Sequence, residues 1–85
     1  MIKALNITSA IRPAGGGLLP QRVSIHRSEG AMPIVTHLEA LKEDGNWCRH
    51  GGNYFGAADL DDAIKDYYRR CQQLGVLPFE EDVPC

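Results

Sequence analysis

One segment, Asp59 to Gly75, constrains the fold more than any other part of the chain. Leu60, Ala63, Ile64, Tyr67, Tyr68, Cys71 and Leu74 recur at the i, i+3, i+4, i+7, i+8 spacing that lines one side of an α-helix. Asp59 is placed to cap the first amides, and Asp61 and Asp62 cluster with it where the helix dipole is positive. Arg69 and Arg70 lie toward the negative end, and Gly75 suits the left-handed residue that stops a helix. A stripe this apolar must be buried, so the remaining residues have to build the surface that buries it.

That surface reads as a small antiparallel sheet. Gln21 to Arg27 alternates Val23 and Ile25 with polar neighbours, the pattern of a half-buried strand. The runs IVTHLEALK (34–42) and NWCRH (46–50) flank Glu43-Asp44-Gly45-Asn46, and Asp-Gly between two such runs marks a hairpin. A two-residue turn would pair Leu41 with Cys48 and Glu39 with His50. A turn with Gly45 in a left-handed bulge instead pairs Leu41 with Trp47 and Glu39 with Arg49. The bulged register is preferred, because it sets apolar against aromatic and acid against base.

This register sorts the hairpin into two faces. Ile34, Thr36, Leu38, Ala40 and Cys48 point one way; Val35, His37, Glu39, Leu41, Trp47 and Arg49 point the other. The small aliphatic set is the one the helix is expected to cover. Met1 to Thr8 fits a short first strand, with a helical turn as the alternative. Residues 12–20 (RPAGGGLLP) form a Gly/Pro-rich loop that excludes a helix or central strand. The paired glycines after His50 end or kink the last strand, and Tyr54 and Phe55 anchor the crossover into the helix. Val76 to Phe79 is expected to fold back on the core edge, and residues 80–85 to form an acidic, frayed tail. The expected fold class is therefore α+β. A sheet of three or four antiparallel strands carries one C-terminal amphipathic helix, in a single domain spanning 1–85.

At 85 residues the chain supports one modest core. A net charge of −2 argues against a general electrostatic footprint for nucleic acid or an anionic membrane. Three cysteines without a CxxC spacing do not make a disulfide framework; reduced thiols in a cytoplasmic protein are the expectation. No apolar run approaches the ~20 residues of a membrane span, and no secretory leader is evident.

The residues with chemical potential mostly have plainer readings. Cys48, His50 and His37 contain soft and imidazole donors, but structural zinc takes four ligands in paired spacings, and no second pair is present. As a nucleophile and base, Cys48 and His50 lack an orienting group and an oxyanion site. The triplet Gly15-Gly16-Gly17 lacks the Lys-Ser/Thr of a phosphate loop. The helix aspartates lack the twelve-residue calcium loop, and capping accounts for the first three. No catalytic residue, metal or cofactor is therefore assigned.

Val35, Leu41 and the single tryptophan, Trp47, stand apart. One helix covers one side of a small sheet, which leaves this set on the other, rimmed by His37, Glu39 and Arg49. Exposed apolar patches mark contacts, and tryptophan and arginine concentrate at binding hot spots. The alternative is that Met1–Thr8 or the Leu18-Leu19 loop covers the patch. The expected function is a non-catalytic protein-interaction module, binding another protein or a second copy of itself through Val35, His37, Glu39, Leu41, Trp47 and Arg49. Its size and acidity suit an inhibitor or adaptor of the compact sort that phages and plasmids encode. A second reading is single-stranded nucleic-acid binding by Trp47 with Arg12, Arg22, Arg27 and Arg49. A thiol or metal site at Cys48 and His50 is the third.

Overall fold

The computed structural model describes residues 6–79. Its elements run β1 (Asn6–Thr8), β2 (Gln21–Arg27), β3 (Ile34–Leu41), β4 (Trp47–Phe55), a 3-10 turn at Ala57–Asp59 and α1 (Leu60–Leu74). The four strands form one antiparallel sheet in the order β1-β2-β3-β4, and α1 packs on one face of it. The α+β architecture predicted from the helical stripe is thus present, with four strands. Met1 to Leu5 and the acidic segment 80–85 lie outside the described residues.

Alternation decides the layering. On β2 and β3, Val23, Ile25 and Ile34 point to the helix side and are fully buried with Ile7, Ala63, Tyr67 and Cys71. Leu38, Phe55, Leu60, Ile64, Leu74 and Val76 close the margin of this core. Every residue of the apolar stripe on α1 takes part in it, which is why the sequence period located the core correctly. Gly75 ends the helix in the left-handed region at φ 80°, and its N–H donates to the carbonyls of Cys71 and Gln72.

The β3–β4 hairpin adopts the bulged register, with Leu41 opposite Trp47 and Glu39 opposite Arg49. Gly45 takes φ 85° at the tip, a conformation glycine enters without steric cost. Past His50 the strand kinks but does not end. Gly51, at φ 41°, is the extra residue of a second bulge, and pairing resumes with Gly52 opposite His37. The bulge keeps both faces in phase: Tyr54 joins Trp47 and Arg49 on the side away from α1, and Phe55 returns to the core. Only Phe55 therefore anchors the crossover; Tyr54 is exposed.

Two local expectations are revised. Residues 12–20 are the tip of a β1–β2 hairpin rather than a plain linker. Arg12 and Gln21 exchange backbone hydrogen bonds at 2.7 and 3.0 Å, and Gly15 and Leu18 do so at 3.2 and 2.9 Å. Gly16 and Gly17, both at positive φ, supply the two-residue turn. Asp59 precedes the helix but makes no side-chain capping bond. The 3-10 turn intervenes: the N–H of Asp59 donates to the Gly56 carbonyl at 2.9 Å, and its carboxylate lies back toward Gly56. After Gly75 the chain does fold back, through its backbone. Ala10 donates to the Leu77 carbonyl at 3.1 Å and Phe79 donates to the Tyr67 hydroxyl at 2.9 Å, while the side chains of Leu77 and Phe79 stay exposed.

The glycines differ in what they tolerate. A Cβ on Gly52 would stand 2.5 Å from both Nδ1 of His37 and the carbonyl oxygen of Thr36. Gly52→Ala is expected to cost about 1–3 kcal/mol through overpacking, read as a lower urea midpoint. By contrast Gly15→Ala, with open space around it, should fall within about 0.5 kcal/mol of the parent. Ile25→Ala in the core should cost about 2–5 kcal/mol.

Candidate functional site

The face of the sheet turned away from α1 is organised in rows that run across the strands. Leu41 stands opposite Trp47. Next come Arg22, Glu39 and Arg49, on β2, β3 and β4. Beyond them lie Thr8, Ser24, His37 and Gly52, and then Asn6, His26, Val35 and Tyr54. The pairing thus brings all six candidates, Val35, His37, Glu39, Leu41, Trp47 and Arg49, onto one face.

It does not leave all of them available. Val35 is 1 % exposed between His26 and Tyr54, so it supports the surface from within and is withdrawn as a contact residue. His37 and Glu39 are buried as well, because β3 is an inner strand with long side chains on both sides. Leu41 and Trp47 are half-buried, and Arg49 and Tyr54 are exposed. The surface offered outward is therefore aromatic and cationic at least as much as aliphatic.

Trp47 is held in place rather than loose. The Arg22 guanidinium reaches across β3 and stacks 3.8 Å from the centre of the indole ring. The Nε–H of Arg22 donates to Oε1 of Glu39 at 3.1 Å, and Nε of Arg49 stands 3.7 Å from the other oxygen. One buried carboxylate so steers two guanidiniums, and one of these steers the indole. Neighbouring this network, the rings of His26 and His37 stack with centres 5.2 Å apart, and Tyr54 meets His37 edge-on. Burial and the charge of Arg49 push both imidazoles below their ordinary range, although Glu39 pulls the other way.

Sequence reasoning missed two parts of this arrangement. The Arg22–Trp47 stack joins residues on strands that are not neighbours, so no hairpin rule reaches it. The second is Asp66, a buried carboxylate on the helix side of the sheet. It accepts from the Thr36 hydroxyl at 2.5 Å, Asn53 Nδ2 at 3.1 Å, Arg70 Nε at 3.0 Å and the Arg69 guanidinium. The signal was present as arginines three and four residues after an acid, although dipole compensation offered a ready explanation for them. Burial alone would raise this carboxyl; the four donors more than offset that and bring it to about 2.

The cysteine and histidine candidates do not assemble. Cys48 pairs with Ala40 on the helix side of the sheet, whereas His37 points to the other. His50 is exposed beside the bulge. Among the described residues, no three His, Cys, Asp or Glu side chains group to hold a metal ion. Cys71 is fully buried, and burial pushes its thiol up, away from the reactive thiolate. Of the four arginines considered as a strip, Arg22 and Arg49 meet on the open face. Arg12 sits on the β1–β2 tip, with Nη2 donating to the Leu19 carbonyl at 3.2 Å, and Arg27 has the strand parity of Ile25. Leu18 and Leu19 expose about half their surface instead of folding down, and Asn6–Thr8 lies beside β2 as an edge strand. Among the described residues, no helix is long and apolar enough to cross a membrane.

Comparison with protein-family models, curated proteins and solved structures finds no match to this chain.

Acid should destabilise the fold in two stages. The imidazoles of His26 and His37 titrate lower when folded, so the unfolded chain binds protons first. Stability is full above about pH 6.5 and declines as pH falls through the folded values. The Asp66 contribution is present above the ordinary carboxyl value of 3.8 and is lost as pH falls toward about 2. Urea midpoints measured across this range should show both declines. Asp66→Asn should remove the lower one and cost about 2 kcal/mol near neutrality.

Proposed function

We propose that the chain is a non-catalytic binding module, an inhibitor or adaptor, that engages a protein partner through the sheet face opposite α1. Trp47, Leu41, Arg49 and Tyr54 form the contact surface. Arg22 and Glu39 order it, and Val35 and His37 form its floor. The observation that carries this reading is the Arg22–Trp47 stack, tied down by the Glu39 ion pairs. An aromatic anchor fixed before binding loses little side-chain entropy when a partner arrives, where a mobile one would lose about 0.5–1.5 kcal/mol. Tryptophan, tyrosine and arginine are also the residue types in which hot-spot energy concentrates.

A second reading, single-stranded nucleic-acid binding, is favoured by how charge is distributed. The chain is acidic as a whole, yet among the described residues this face carries two arginines and two imidazoles against one carboxylate that both arginines share. Trp47 and Tyr54 would then serve as stacking platforms.

The two readings separate experimentally. Tagged protein is used to capture partners from host lysate, with Trp47→Ala and a distant surface variant, Lys65→Ala, run alongside. The module reading expects a specific protein that Lys65→Ala retains. Trp47→Ala should lose it by at least about tenfold, equivalent to roughly 1.4 kcal/mol. Equal capture by Trp47→Ala, with an unchanged thermal midpoint, would overturn it. The nucleic-acid reading expects oligonucleotide affinity at low salt that falls steeply as salt rises.

A further inference from the structure

Beside the Trp47 patch, on the same face, the sheet surface is hollowed between β1 and the Arg22–Glu39–Arg49 row. The hollow holds about 290 Å³ and is lined by Asn6 and Thr8 of β1 together with Arg22, Ser24, Glu39 and Arg49. Ser24 is 5 % exposed, and its Oγ has no hydrogen-bond partner among the described residues. A buried hydroxyl left in this state forfeits a hydrogen bond that water would otherwise supply, so such groups are uncommon in native folds. Both arginines line the hollow. Each sets its Nε, one of the five N–H donors a guanidinium carries, toward Glu39. Two guanidiniums against one carboxylate leave a single positive charge on this wall.

We propose that the hollow seats a carboxylate side chain from an acidic segment of the protein partner. An Asp or Glu carboxylate would accept from the Ser24 hydroxyl and from the other guanidinium donors, and its one negative charge balances the residual charge of the wall. Its position next to Trp47 makes the two halves of the site complementary: the indole supplies contact area, and the hollow supplies charge and register. Glu39 belongs to the same wall and sets the selectivity. Its charge is neutralised by the arginines already present, and it opposes a doubly charged group more strongly than a single one. The inference rests on the binding-module reading and specifies the chemistry of the partner.

The test uses the full chain, isotope-labelled, titrated at low salt with a hexa-aspartate peptide and, separately, with octathymidylate. The expected result is saturable shifts at Asn6, Thr8 and Ser24 and at the Arg22 and Arg49 side-chain Nε–H groups with the peptide. Ser24→Ala should weaken peptide binding roughly tenfold to a hundredfold, the value of one hydrogen bond to a charged acceptor. The thermal midpoint should be unchanged or higher, because the hydroxyl has no partner among the described residues. Arg49→Gln, at an exposed side chain that the core does not need, should weaken binding about tenfold. Absence of saturable shifts at these residues would overturn the proposal, as would affinity unchanged in both variants. Tighter saturation of the same residues by octathymidylate would overturn it in favour of a phosphodiester. Should the hollow stay silent while Trp47→Ala still abolishes partner capture, this inference fails alone and the module stands.

Discussion

Helix and sheet meet over an apolar layer, and within that layer one carboxylate fixes how they meet. Asp66 sits one residue before Tyr67, at the margin of the buried stripe, and accepts from Thr36 on β3 and Asn53 on β4. Apolar burial provides most of the free energy but little direction, since a stripe of leucine and alanine slides at small cost. A carboxylate needing several donors has few acceptable positions. The arginines at 69 and 70 complete the set from the helix itself, so that the buried charge is not left isolated. With α1 held in this way, the inner strand β3 is pinned on one side, and its other side is free to order a surface.

That surface is arranged by the same logic with the elements exchanged. Glu39, on the face opposite Thr36, is the acceptor around which Arg22, Arg49 and through them Trp47 are arranged. Each side of β3 thus faces one organising carboxylate, Asp66 from α1 and its own Glu39. On the helix side it is enclosed and serves cohesion; on the other its partners extend into solvent and can meet something else. The division explains how an acidic chain presents a cationic aromatic surface: acids in the helix and hairpin turn lie elsewhere, and the one on this face is already matched.

The parts of this fold that depend on local periodicity could be read before any coordinates. The helical stripe, the left-handed stop at Gly75, the bulged turn at Gly45 and the two-faced sorting of β3 all follow from spacing, and all are present. What escaped were features set by distance across the sheet. Val35 has the parity of a surface residue but the burial of a core residue, because the width of the sheet decides how much of an inner strand is seen. The reach of Arg22 to Trp47 depends on β3 lying between β2 and β4, and the hollow beside Ser24 depends on β1 lying next to β2. The capping role assigned to Asp59 failed for a local reason, since a 3-10 turn satisfied the chain there in another way.

The glycine bulge in β4 bears on more than the alignment of faces. Among the described residues β4 is an outermost strand, and a regular outermost strand offers a ladder of unused amides and carbonyls to any passing chain. Gly51 interrupts that ladder in the middle and turns the strand out of plane. Stacking of copies edge to edge, the route by which small sheets grow into fibrils, meets a break in its template halfway along. The same irregularity that keeps Tyr54 beside Trp47 therefore makes this rim a poor template for a further strand.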